Sequence, residues 1–243
     1  MSDKPCLVRS TAAGYLRTTL EDEQLSHREL EIDRTIDRSV AMDTIRAMRY
    51  LDGEDSTQPI LLLINCNGGS VIDGLAIYDT MQALHAPVWT VCVGECSSMA
   101  AVILAGGEKG HRYALANAQV MIHDPLITGD CGGPALSVDA ISKRLMRTRR
   151  KVGEILSQCT GRKLDAVLSA TARDTFFDAQ QAKAFGLVDE IIADWGELRI
   201  HTQKKSRNGG KSGEKDCRAS LNMVKLCIRI LRALPDGYAD SSR

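Results

Sequence analysis

Between residues 29 and 193 the spacing of apolar residues switches repeatedly between two periods, which divides this stretch into strands and helices. Residues 40–51 place Ala41, Ile45, Met48 and Leu51 on one stripe, a helical spacing. Residues 59–64 read Pro-Ile-Leu-Leu-Leu-Ile, a continuous apolar run suited to a strand buried on both faces of a parallel sheet. A turn over 65–70 follows, then a helix over 71–84, a strand over 88–93 begun by Pro87, and a second turn over 94–97. Residues 99–105 form a short apolar helix closed by Gly106-Gly107. Short strands are predicted over 112–115 and 120–122, and a Gly-rich loop over 129–134. A long helix over 136–159 carries Val138, Ile141, Leu145, Val152 and Ile155 on one stripe, with Gly161 as its C-terminal cap. Such alternation predicts an α/β fold with right-handed crossovers.

The flanks differ from this domain. Residues 1–28 are polar and mixed, with the acidic cluster Glu21-Asp22-Glu23, and read as a mobile arm. Residues 194–218 read as a flexible linker, basic from 201 onward through Lys204, Lys205, Arg207, Lys211, Lys215 and Arg218. Its GGKS at 209–212 is not a phosphate loop, because the glycine required five residues before Gly210 is Lys205. Residues 219–243 begin with a short basic amphipathic helix over 219–234, carrying Leu221, Val224, Ile228 and Leu231. It either docks on its own domain or frays, or it offers its face to a partner or an anionic surface.

Composition narrows the function classes. Of 243 residues, 31 are Lys or Arg and 31 are Asp or Glu, so the formal net charge is zero and no nucleic-acid partner is expected. An apolar fraction of 44% argues against disorder for the bulk of the chain. No apolar run approaches the roughly 18–20 residues of a membrane span. The N-terminus lacks the apolar core of a signal peptide, so a cytoplasmic protein without an integral membrane segment is expected. The eight cysteines form no Cys-x-x-Cys pair, and no partner completes a zinc site around Cys92 and Cys96. They read as reduced structural thiols, and no metal is expected.

Two turns can carry chemistry, because each lies between an apolar strand and a helix and so exposes backbone N–H groups at a helix start. The first contains Gly68-Gly69, where glycine lets backbone approach a ligand. The second offers Ser97 and Ser98 at a helix N-terminus, where serine is equally the favoured cap with no catalysis implied. Of the five histidines, only His123 emerges from an apolar strand into a Pro-containing turn, a position open to a catalytic or a structural reading.

Four segments together carry a resemblance. ILLLINCNGGSVI at 60–72 looks like a pattern of apolar strand, Asn-Ser-Pro-Gly-Gly and helix; GECSSMAA at 94–101 resembles Gly-x-x-x-Ser-Met. VMIHDPL at 120–126 resembles Met-Ile-His-Gln-Pro, and ARDTFFDAQQAKAFGLVDEII at 172–192 resembles Arg-Asp, an Ala-rich helix and Tyr-Gly-Leu-Val-Asp. In this order they resemble the ClpP family of self-compartmentalising serine peptidases, over about two thirds of the chain. The resemblance implies a ClpP/crotonase-like fold of repeated strand-strand-helix units, with residues 136–159 as a protruding handle helix. It implies Ser98 as nucleophile with Ser97 as second choice, His123 as general base and Asp174 as the acid of the triad. Backbone N–H groups of Gly68 and Met99 would form the oxyanion hole, and Gly69, Ile127 and Gly129 would lie beside the substrate. It further implies heptameric rings stacked as a tetradecamer, and unfolded substrates fed in by a hexameric AAA+ unfoldase. No cofactor is implied for this chain, since ATP is used by the partner.

Departures from the pattern bear on activity. Asn67 stands where the family has proline, which predicts a less pre-organised turn. Asp124 replaces glutamine, putting a carboxylate beside the base, where it would raise the base's pKa. Cys131 in the Gly-rich loop offers a redox-sensitive position, and Pro134 limits strand pairing there. The arm matches poorly, and residues 201–243 extend past the family's usual end. The leading expectation is an active serine endopeptidase. Its rivals are a weakly active or inactive structural subunit of a ring shared with a second ClpP-like chain, an acyl-CoA enzyme of the related crotonase fold, and a Ser/Lys peptidase.

Overall fold

The computed structural model describes residues 6–11, 14–127 and 134–198. Residues 199–218 of the expected linker, the helix expected over 219–234, Gly129 and Cys131 lie outside them, while Trp195–Leu198 of that linker form a 3-10 turn with Leu198 buried. The expected arm is not devoid of regular structure. Strands β1 (Cys6–Thr11) and β2 (Gly14–Thr19) pair antiparallel, and α1 (Leu20–Ser26) follows, started by a capping box between Thr19 and Asp22. Glu21, Asp22 and Glu23, read as a marker of mobility, are the acidic first turn of α1.

The domain proper is a seven-stranded sheet. Strands β3 (Glu29–Ile32), β4 (Ile60–Cys66), β5 (Val88–Ser97), β6 (Arg112–Leu115) and β9 (Glu190–Ile192) lie side by side and parallel. The far end of β5 also pairs in parallel with β7 (Gln119–Ile122), which pairs antiparallel with β8 (Thr175–Asp178). Helices α2 (Arg38–Glu54), α3 (Val71–Ala83), α4 (Met99–Ala105), α5 (Ala135–Thr160), α6 (Leu164–Thr171) and α7 (Ala179–Phe185) complete the described elements, with a final short 3-10 turn at Trp195–Leu198. This is the mixed α/β architecture that the alternating pattern predicts.

One face of the sheet packs on the helices through Ile60, Leu62 and Ile64 of β4 against Met48, Ile77, Ile103 and Leu104, all essentially inaccessible. The alternate residues of β4 and β5, Leu61 and Val91, join Tyr113, Ile192 and Leu198 in a smaller cluster on the opposite face. Burial on both faces explains the uninterrupted apolar runs. Helix α5 is buried only near its C-terminal end, at Val152, Ile155 and Leu156, while Val138, Ile141 and Met146 are exposed. Its first turns therefore project from the domain, as the handle reading requires, and Gly161 caps it in the left-handed conformation at φ 73°.

Two buried arginines tie the elements together. Arg28, at φ 63°, donates to the carbonyl oxygens of Leu51, Asp55, Gln58 and Pro59 at 2.9–3.0 Å, joining the start of β3 to the end of α2. Arg112 pairs with Asp189 through Nη2–Oδ1 at 2.6 Å and Nε–Oδ2 at 2.8 Å, and donates to the carbonyls of Ala105 and Cys159. Burial pushes the Asp189 carboxyl up, but the guanidinium and the N–H groups of Gly110 and Arg112 outweigh it and hold the group below its ordinary value.

Candidate active site

The predicted turn over 94–97 is instead the end of β5. Between the register pairs Ile64–Cys92 and Cys66–Cys96, β4 advances two residues while β5 advances four. The Asn65 carboxamide fills this irregularity, its Oδ1 accepting from the Glu95 N–H at 3.1 Å. Such a bulge re-aims the residues that follow it. Here it brings 95–97 alongside β7 and delivers Ser98 to the end of that strand.

Ser98 occupies the N-cap of α4 yet does not cap it: no side-chain cap bond is made, and its backbone sits at φ 56°, ψ −122°. Positive φ is costly for a residue with a Cβ, by about 1–3 kcal/mol. Its N–H donates to the Met121 carbonyl at 2.8 Å, which holds it beside β7. With the cap unused, its Oγ lies 2.9 Å from His123 Nε2. Ser97, the second choice, is buried and donates its hydroxyl to Glu95 Oε1 at 2.6 Å.

The antiparallel register does the rest. Ile122 faces Thr175 across β7 and β8, so the next positions outward, His123 and Asp174, face one another. His123 Nδ1 stands 3.3 Å from Asp174 Oδ1, with the Asp174 side chain 65% exposed. This is longer than the roughly 2.7–2.9 Å of a charge-assisted hydrogen bond. Serine hydroxyl, imidazole and carboxylate thus form one line: the carboxylate on Nδ1 favours the tautomer whose Nε2 accepts the Ser98 hydroxyl.

Beside this line lies the glycine turn. Gly68 and Gly69 take φ 98° and 151°. A Cβ on Gly68 would stand 2.7 Å from the Ser98 Cβ, and one on Gly69 would run into the Ile36 backbone. Ile36 brackets the turn, donating to the Gly68 carbonyl and accepting from the Ser70 N–H, each at 2.8 Å. Asn67, in the expected proline position, accepts a hydrogen bond from Thr35 Oγ1 at 3.4 Å. The turn is therefore held by these contacts where a proline ring would have fixed it.

The Clp protease family model matches residues 16–194. The chain belongs to the Clp protease family. The match covers the whole sheet and its helices and begins within β2, inside the segment read as an arm. Membership supports a peptidase.

On this Clp protease fold three expected features have the following surroundings. The Gly68 N–H, expected in the oxyanion hole, donates to Cys66 Sγ at 3.2 Å. Among the described residues, the N–H groups of Gly69 and Met99 have no acceptor. Burial pushes the Cys66 thiol above its ordinary value, so Sγ stays protonated and donates to the Arg34 carbonyl at 3.1 Å. Second, Asp124 is not directed at the base. Its Oδ2 receives Arg149 Nε at 2.6 Å and its Oδ1 the Thr171 hydroxyl at 2.7 Å. No feature of the linear sequence pairs Asp124 with Arg149. Third, of the substrate-side residues, Gly69 lies in the turn and Ile127 is exposed beyond His123, while Gly129 is outside the described residues.

Cys66, Cys92 and Cys96 are buried thiols, and Cys6 is exposed. Among the described residues no cluster of three His, Cys, Asp or Glu side chains could hold a metal ion. No helix among them is long and apolar enough to cross a membrane.

Proposed function

We propose that this chain is a serine endopeptidase in which Ser98 is the nucleophile, His123 the general base and Asp174 the group that orients it. The observation that carries the reading is the 2.9 Å contact between Ser98 Oγ and His123 Nε2, made by a serine that leaves its helix uncapped. In the first step Oγ attacks the scissile carbonyl carbon and its proton passes to Nε2. The imidazolium then protonates the leaving amine, and water hydrolyses the acyl-enzyme by the same route in reverse. Asp174 stabilises the imidazolium. The oxyanion donors are the N–H groups of Met99 and Gly68, the latter resting on Cys66 Sγ, a weak acceptor that a developing oxyanion outcompetes. A donor pair of this kind is worth about 2.7–4 kcal/mol of barrier per donor.

The working form is a ring, with heptamers stacked as a tetradecamer in the cytoplasm, and its substrates are unfolded proteins delivered by a hexameric AAA+ unfoldase that consumes the ATP. Fluorophosphonate labelling of size-fractionated protein, with Ser98→Ala as control, tests the chemistry. Labelling of a large fraction, absent from the variant, supports it; an unlabelled ring overturns it. The long, exposed Asp174 contact favours a second reading, a weakly active or structural subunit of a mixed ring. That reading predicts no peptide hydrolysis by the chain alone and co-purification with a second ClpP-like chain.

A further inference from the structure

Asp124 is the residue after His123, and Thr171 ends the helix that leads, three residues later, to Asp174. The two are joined twice: the Asp124 N–H donates to the Thr171 carbonyl at 2.7 Å, and the Thr171 hydroxyl donates to Asp124 Oδ1 at 2.7 Å. Thr171 is buried. A third element closes the cluster. From the middle of α5, Arg149 donates through Nε to Asp124 Oδ2 at 2.6 Å and through Nη2 to the Leu168 carbonyl of α6 at 3.0 Å. The Asp124 and Arg149 side chains are only 30% and 26% exposed, so the pair is better shielded than a surface ion pair. The Asp174 side chain has the opposite character, exposed and at 3.3 Å from its partner, so its own contact with His123 is a weak constraint. The backbone on either side must then supply the alignment.

We propose that Asp124 and Arg149 are positioning residues: through Thr171 and Leu168 they fix the His123 backbone against the segment carrying Asp174, so that a residue of α5 sets the rate at which Ser98 reacts. The proposal rests on the peptidase reading above. Neither residue touches the reacting atoms. Both act by keeping two strand ends in register, where a displacement of about 1 Å is worth roughly a hundredfold in rate.

The test is a time course of fluorophosphonate labelling on the assembled full-length chain, separating the rate constant at saturation (kinact), the half-saturating concentration (KI) and the final labelled fraction. Arg149→Met and Asp124→Asn should each lower kinact by about 10- to 100-fold. KI and the labelled fraction should stay at wild-type values. Arg149→Lys, which can still donate to Asp124, should recover most of the rate. The double variant Asp124→Asn/Arg149→Met should be no slower than the slower single one, because both act through one contact. A merely structural role would reduce the labelled fraction and leave kinact of the remainder unchanged, and that result overturns the proposal. So do wild-type rates in both single variants. Should Arg149→Met fail to fold, Asp124→Asn decides, since it keeps the acceptor for Thr171 and changes only the face toward Arg149. A wild-type chain that does not label overturns the peptidase reading and this proposal with it. A labelled wild type with unaffected variants overturns this proposal alone.

Discussion

Replacing Asp174 by Asn measures what the outermost member of the proposed catalytic line contributes. In a buried triad the same exchange lowers kcat by about 10⁴. Here the carboxylate stands 3.3 Å from Nδ1 and is 65% exposed. At that separation its attraction for an imidazolium is about 5 kcal/mol at an effective dielectric of about 20 and about 1 kcal/mol in bulk water. Solvent screening of so exposed a group favours the lower half of this interval, about 2–3 kcal/mol. Stabilisation of this kind appears only when His123 is protonated, so it is lost from the transition state and leaves substrate binding alone. The expected result is therefore a fall in kcat of about 30- to 150-fold with KM unchanged. The assay is hydrolysis of a short fluorogenic peptide by the assembled full-length chain, with Asp174→Asn beside Ser98→Ala. A kcat within twofold of wild type would refute the role of Asp174. A fall to the Ser98→Ala floor would refute the screening argument, because the carboxylate would then act as a buried one.

Three further outcomes are expected. Gly69→Ala sets a methyl group against the Ile36 backbone at φ 151°, so labelling of Ser98 should be lost and Tm should fall, read by thermal unfolding. Arg112→Met leaves Asp189 partly buried without its guanidinium and should cost about 3–5 kcal/mol in urea unfolding, with an effect under about 1 kcal/mol counting against the pair. The Asp189 carboxyl is held below its ordinary value in the folded chain, so its contribution is fully present above the unfolded pKa of about 3.9 and is lost as pH falls below it. Wild-type stability should accordingly drop more steeply on acidification than that of Arg112→Met.

Which features could be read from the sequence follows from how local their causes are. β4 and α4 announce themselves because each has a single environment along its length, two buried faces or complete burial, while α5 is legible from its apolar stripe although only its C-terminal end is buried. The end of β5 does not, because its course depends on Asn65 filling a register shift from the neighbouring strand, some thirty residues away. Residues 6–26 carry short elements with little burial, so the apolar period is weak there. Ser98, His123 and Asp174 were expected from four motifs in order, and the antiparallel pairing of β7 with β8 is the physical reason that the last two meet. The contact of the Gly68 N–H with a thiol two residues back was not legible either, because the direction of an N–H in a turn depends on the turn's own geometry. The partners of Asp124 were invisible for a similar reason: Arg149 and Thr171 lie 25 and 47 residues onward and meet it only in the fold.

The serine at the head of α4 shows why a cap and a nucleophile are hard to tell apart in sequence yet distinct in structure. To cap the helix, the serine would take an extended backbone and turn Oγ back toward the N–H groups of the first turn. At φ 56° Ser98 does not. Keeping it there costs about 1–3 kcal/mol of backbone strain and a cap worth about 1 kcal/mol. The compensation lies in the helix that follows. All seven residues of α4 are buried, among them Met99, Val102, Ile103 and Leu104, each of which contributes about 1.5–3 kcal/mol by leaving water. A helix so firmly seated fixes the residue at its head whether or not that residue is relaxed. The Met121 carbonyl, held by β7, takes the Ser98 N–H and closes off the relaxed alternative. The same strand carries His123 at its end, so the element that keeps Ser98 strained is also the one that brings an imidazole against its hydroxyl.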